Sequence, residues 1–203
     1  MVKKKKEEGS EVVIMNTVNL DIQVMDVMIR GRSPLIMSKF SEETKKDILS
    51  KQQGVKVIKK KVRDIKKEVE DATHKTQSGK VGFPFYGFKK GMIETTSFIG
   101  DKKFSKKLVS AIQILNVEDG LIPIEFKKRG QIEHFVNPNT LFSPIFYEWS
   151  CKLQIAFDSN NVSAGDVINL LNYAGYYVGL GCWRPKGKDG GSGVYGMYNC
   201  TAI

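Results

Sequence analysis

The chain has 203 residues, 41% of them hydrophobic, and its 32 Lys and Arg outnumber 22 Asp and Glu to give a formal net charge of +10. That apolar share is enough for a packed core and excludes global disorder; the length suits one domain; the cationic excess favours polyanionic partners. Its three cysteines, Cys151, Cys182 and Cys200, are odd in number and lack CxxC spacing, which argues against a disulfide framework and a cysteine zinc site and points to a reducing compartment.

Residues 1–11 read as a mobile charged tail: Lys3 to Lys6 are followed by Glu7 and Glu8 and not by the apolar stretch of a signal peptide. No run of about 18 apolar residues offers a membrane span, so a cytoplasmic location is expected. Residues 12–203 read as a single α+β domain. Between 12 and 30, Val18, Leu20, Ile22 and Val24 alternate with Asn19, Asp21 and Gln23. That period of two marks a half-buried strand, and its slip at Met25-Asp26 predicts a bulge or the strand's end. Arg30-Gly31-Arg32-Ser33-Pro34 follows as a turn. Two arginines at a strand end suit an anion clamp; an ordinary surface turn has the same composition.

Ser41 is an N-cap candidate with Glu42 and Glu43 in the first turn, predicting a helix over 42–52. Residues 55–80 form a basic insertion, helical or flexible. Its Lys59, Lys60 and Arg63 are candidates for tracking phosphates, with a solvated helix face as the plain alternative. Phe83-Pro84 opens the next helix, supported by Phe85, Phe88, Met92 and Ile99; Phe104, Leu108, Ala111, Ile112 and Leu115 mark a further helical face. Strands are expected over 121–127 and 131–136, joined by a Lys128-Arg129-Gly130 turn, and over 145–157 after the break at Asn137-Pro138-Asn139. Ser163 with Asp166 has the form of a capping box. It precedes the stripe Val167, Ile168, Leu170, Leu171 and Ala174, which Gly175 would end. A last strand falls near 194–200. This order predicts an antiparallel sheet with helices on one face, a variant of the ferredoxin-like βαββαβ plan.

The segment from Gly179 to Gly196 carries the densest chemistry. Its glycines let a backbone approach a phosphate and present N–H groups. Gly181 and Gly191 are candidates for that, Arg184, Lys186 and Lys188 for neutralising phosphates, and Trp183 and Tyr195 for stacking on bases. A long hairpin with glycine turns and a core Trp183 is the structural alternative. Neither a Walker loop nor a dinucleotide fingerprint is present. His74 and His134 are the only histidines, too few and too far apart for a metal site. His134 on a strand is a candidate general base for metal-independent RNA cleavage, set against a plain strand histidine. Phe83, Phe85, Tyr86 and Phe88 are a core or stacking cluster. No cofactor is expected.

Three stretches, Arg30-Gly31-Arg32-Ser33-Pro34-Leu35-Ile36-Met37, Phe83-Pro84-Phe85-Tyr86-Gly87-Phe88-Lys89-Lys90-Gly91-Met92 and Gly179-Leu180-Gly181-Cys182-Trp183-Arg184-Pro185, together resemble a group of uncharacterised bacteriophage proteins over about residues 26–199. The resemblance implies a viral protein acting in the host cytoplasm and carries no activity with it. The glycine-rich loop near the C-terminus is also similar to that of ferredoxin-like CRISPR RNA-binding proteins, a fold-level analogy. The expectation is a binding protein for single-stranded DNA or RNA rather than an enzyme. A sponge for a nucleotide immune signal, an endoribonuclease using His134 and a self-assembling homo-oligomer are the other readings.

Overall fold

The computed structural model describes residues 19–39, 45–46, 49–50, 52–54, 64–99, 111–136, 139–186 and 193–203. Along them run β1 (Ile22–Gly31), β2 (Leu35–Ile36), α1 (Ile65–Asp71), β3 (Gly82–Pro84), α2 (Phe85–Ile99), β4 (Ile112–Ile114), β5 (Leu121–Pro123), β6 (Lys128–Val136), β7 (Asn139–Tyr147), β8 (Ser150–Asp158), α3 (Ala164–Tyr173), a π-helical turn (Ala174–Val178) and β9 (Tyr198–Ala202). The central sheet has the order β4-β8-β1-β9 with every neighbouring pair antiparallel. Taken with α2 and α3, the succession β1-α2-β4-β8-α3-β9 is the βαββαβ plan, the first strand lying between the third and the fourth. Two smaller antiparallel sheets, β2-β7-β6 and β3-β5, are added to it. The fold is α+β.

Alternation places β8 directly. Cys151, Leu153, Ile155 and Phe157 are buried, while Lys152 between them is exposed. On β1 the period was legible but not its phase. Pairing with β8 runs unbroken from Ile22 opposite Asp158 to Arg30 opposite Ser150, so there is no bulge at Met25-Asp26. Val27 and Ile29 are the residues fully buried, and Leu20, Ile22 and Val24 are each more than half exposed. Successive strand residues face opposite ways, so the apolar even-numbered row lies on the face away from Val27 and Ile29.

The helices cover the buried face through Phe88 and Met92 of α2 and Val167, Leu170 and Leu171 of α3. Both halves of the Ser163–Asp166 capping box form. Gly175 does not end the helix. A Cβ there would lie 2.1 Å from the Tyr198 carbonyl oxygen, so the missing side chain lets the π-helical turn rest on β9. The turn stops instead at Gly179, with φ 67°.

Other expectations shift for identifiable reasons. The strand placed over 145–157 is two, β7 and β8, divided at Glu148, whose φ of 48° is left-handed. Lys128-Arg129-Gly130 is the start of β6, paired with Tyr147, Phe146 and Ile145, and β5 pairs with β3, not β6. Ile112 lies in β4, so the helical face drawn through 104–115 fails at its end; residues 101–110 lie outside the described set.

Within the insertion, α1 is capped by the Asp64 side chain, which accepts from Lys67 N–H. Glu70 pairs with Lys75 and with Arg129 (2.8 Å), and Arg129 also donates to Thr73 Oγ1 (2.8 Å), tying α1 to β6. The tail 1–11 and Lys59, Lys60 and Arg63 lie outside the described residues, as does much of the helix expected over 42–52; residues 45, 46, 49 and 50 are helical. Among the described residues no helix is long and apolar enough to cross a membrane.

Candidate nucleic-acid interface

Two segments singled out separately in the sequence, 30–36 and 179–197, interlock. Arg32 N–H donates to the Met197 carbonyl (2.7 Å), Gly196 N–H to that of Pro34 (2.8 Å) and Cys182 N–H to that of Ile36 (3.0 Å). Met197 N–H reaches Ser33 Oγ (3.0 Å). Within the C-terminal segment, Leu180 N–H donates to Gly196 (2.9 Å) and Tyr195 N–H to Trp183 (3.1 Å). Trp149 bolts the other side. Its indole N–H donates to the Ser33 carbonyl (2.8 Å), and a Cβ on Gly31 would sit 2.2 Å from Nε1.

This network explains the glycines. A Cβ at Gly181 would lie 2.1 Å from the Ile36 oxygen, at Gly193 1.8 Å from the Trp183 oxygen, and at Gly196 1.9 Å from the Leu180 oxygen. The expectation that the glycine-rich backbone presents its amides to a phosphate is therefore corrected at the amides of Gly179, Leu180, Cys182, Tyr195 and Gly196. All five donate within the fold, and the bare α-carbons at 181, 193 and 196 serve backbone-to-backbone contact. Lys188 and Gly191 lie outside the described residues.

The side chains are a different matter. Arg30, Arg32 and Trp183 are exposed, while Arg184, Lys186 and Tyr195 are half-buried. Trp183 keeps 53% of its surface exposed and holds φ at 56°, in the left-handed region that favours glycine. It is not core. The Arg184 guanidinium lies 3.8 Å from Glu94 Oε2 on α2, and Lys90 lies 3.8 Å from Glu94 Oε1. Glu94 Oε2 is buried and, among the described residues, accepts no hydrogen bond. Both ion pairs are thus loose, with the cations held nearby but not consumed. One turn further along α2, the Lys186 ammonium reaches Ser97 Oγ (3.4 Å) and stands 5.1 Å from the Phe98 ring centroid, a cation–π distance.

Phe98 belongs to an exposed aromatic group that sequence reading passed over. Its ring stacks on Tyr177 (5.0 Å, 19°), Tyr177 stacks on Tyr173 (6.1 Å, 30°), and Tyr176 meets Tyr177 edge-on (5.0 Å). The four rings are 41–53% exposed. The signal was present: Tyr173 and Tyr177 are four apart and flank the stripe of Val167, Leu170, Leu171 and Ala174. The cluster noted at 83–88 divides instead, with Phe83 and Phe88 in the core and Tyr86 exposed.

Burial pushes the Cys182 thiol up, against the pull of neighbouring Arg184; burial raises Cys151 too and pushes Cys200 up to about 12, so none is an activated nucleophile. His74 is held below its ordinary value by burial and by Lys39 and Lys45, which favours its neutral form. The backbone of His134 lies on β6 opposite Leu141; its side chain is outside the described set. Among the described residues no three His, Cys, Asp or Glu side chains gather as metal ligands. No protein-family model matches the chain, and no curated protein matches it in sequence.

Proposed function

We propose that the protein binds single-stranded nucleic acid, DNA or RNA, on the surface built by the interlocked segments and the exposed side of α2, and that it is a phage protein acting in the host cell. The observation that carries the reading is Trp183. A large aromatic residue is kept more than half exposed in a backbone conformation costly to it, beside Arg184 and Lys186. The Trp183 carbonyl accepts from Tyr195 N–H, which holds the backbone in the interlock, and an indole more than half exposed beside cations suits a stacked base. The role of the glycines is to build the rigid support; phosphate contact falls to Arg32, Arg184 and Lys186, since Arg30, even-numbered on β1, lies on the sheet face away from the helices. The viral part of the proposal rests on the resemblance of the 30–37, 83–92 and 179–185 stretches to phage proteins.

Three cations meeting three phosphates release counterions in proportion. The logarithm of affinity should fall with the logarithm of salt concentration at a slope of about −2, taking roughly 0.7 per phosphate for single strands. Fluorescence-anisotropy titrations of labelled single-stranded DNA, single-stranded RNA and duplex at two salt concentrations test this. Preference for a single strand with that slope is expected, and absence of binding at low salt ends the proposal.

A further inference from the structure

We infer that Phe98, Tyr173, Tyr176 and Tyr177 form a second contact for the same strand, a stacking platform for its unpaired bases; the inference rests on the function proposed above. Three elements supply the rings: Phe98 comes from the end of α2, Tyr173 from the end of α3, and Tyr176 and Tyr177 from the π-helical turn. Three of the rings lie nearly parallel in the order Phe98, Tyr177, Tyr173. A flat base extends such a stack on the outer face of Tyr173 without disturbing it.

Charge selects the occupant. Lys186 stands over the Phe98 ring and links the platform to the glycine-rich segment. Arg184 and Lys90 meet Glu94 four residues before Phe98 on the same helix, about 6 Å away along its axis at 1.5 Å per residue. A cationic border beside exposed π-faces fits a polyanion whose bases are free to stack, in a chain of net charge +10. A second copy of this equally basic chain would bring further positive charge to that border.

The test uses the native protein and the Tyr173→Ala/Tyr177→Ala variant, with a labelled oligothymidine and an abasic strand of equal length. Rings that touch bases and not phosphates lower affinity without altering its salt dependence. The variant should bind the oligothymidine roughly 5- to 150-fold more weakly with the same salt slope, and the Tyr→Phe counterpart should bind like the native protein. The abasic strand should bind the native protein much more weakly than the oligothymidine and gain nothing from the native rings over the variant. In Trp183→Gly, which lacks the other stacking side chain, the abasic comparison reads the platform alone and stands even if the tyrosine variant misfolds. Equal affinity of native and variant for the oligothymidine, or of Trp183→Gly for the two strands, overturns the platform while leaving the proposed function in place. So does a variant that changes only from dimer to monomer by sedimentation with its strand affinity intact. No binding of the native protein to either strand removes both.

Discussion

The chain's two tryptophans meet opposite fates. Trp149 is 2% exposed, its indole N–H is bonded to Ser33, and its ring lies against Gly31 and edge-on to Tyr198. Trp183 is 53% exposed at a left-handed φ. Each sits beside a glycine-bearing segment, and both segments belong to one interlock. Folding accounts fully for the first: burial removes a large apolar surface from water and satisfies its one donor. For the second, the interlock holds the backbone through the carbonyl, which accepts from Tyr195 N–H, while more than half of the residue's surface stays in contact with solvent. Within one structural unit, one indole is buried in the fold and the other is presented to solvent, where the proposed function places it.

Substitutions break or sharpen that contrast. The largest effect is expected for Trp149→Ala, which empties a buried site and orphans the Ser33 carbonyl; about 3–5 kcal/mol of stability should be lost, read by chemical denaturation. Next comes Gly196→Ala, which forces an alanine to φ 67° with its Cβ against the Leu180 oxygen; roughly 1–3 kcal/mol should go, more if the contact cannot relax. Trp183→Gly is the mirror image. Glycine accepts φ 56°, so stability should stay within about 1 kcal/mol of native while strand affinity falls by roughly tenfold, near the low end of stacking losses. A loss of stability as large as that of Trp149→Ala would make Trp183 structural and erase the contrast. The smallest effect is expected for Glu94→Gln. Removing the carboxylate between Arg184 and Lys90 frees both cations for phosphate, and affinity at low salt should rise about threefold, a gain screened away at high salt; weaker binding would show that Glu94 positions Arg184.

What the sequence made legible was local. The Ser163–Asp166 box needs three residues of context, and the alternation from Cys151 to Phe157 states both its period and its face because two of the intervening residues, Lys152 and Gln154, are charged or amidic. On β1, Leu20, Ile22 and Val24 gave the period and misled on the face, since the helices lie over Val27 and Ile29. The Lys128-Arg129-Gly130 stretch resembles a turn, yet charges suit the edge strand it occupies. Glu148 breaks the chain in a conformation that sequence rules reserve for glycine or asparagine. At the site, glycine density was read as a phosphate cradle because the contacts that require it, such as Gly181 on Ile36, join segments some 145 residues apart. Tyr173 and Tyr177 were within reach, as the unburied side of an amphipathic helix whose buried side had been identified.

Ultraviolet crosslinking of the native protein to a single strand, followed by peptide mass spectrometry, reads which aromatic side chains meet the bases. Adducts at Trp183 and at the ring group of Phe98, Tyr173 and Tyr177, with none at Trp149, are the predicted result. Adducts confined to other surfaces, or no adduct from a strand present in saturating amount at low salt, would contradict it.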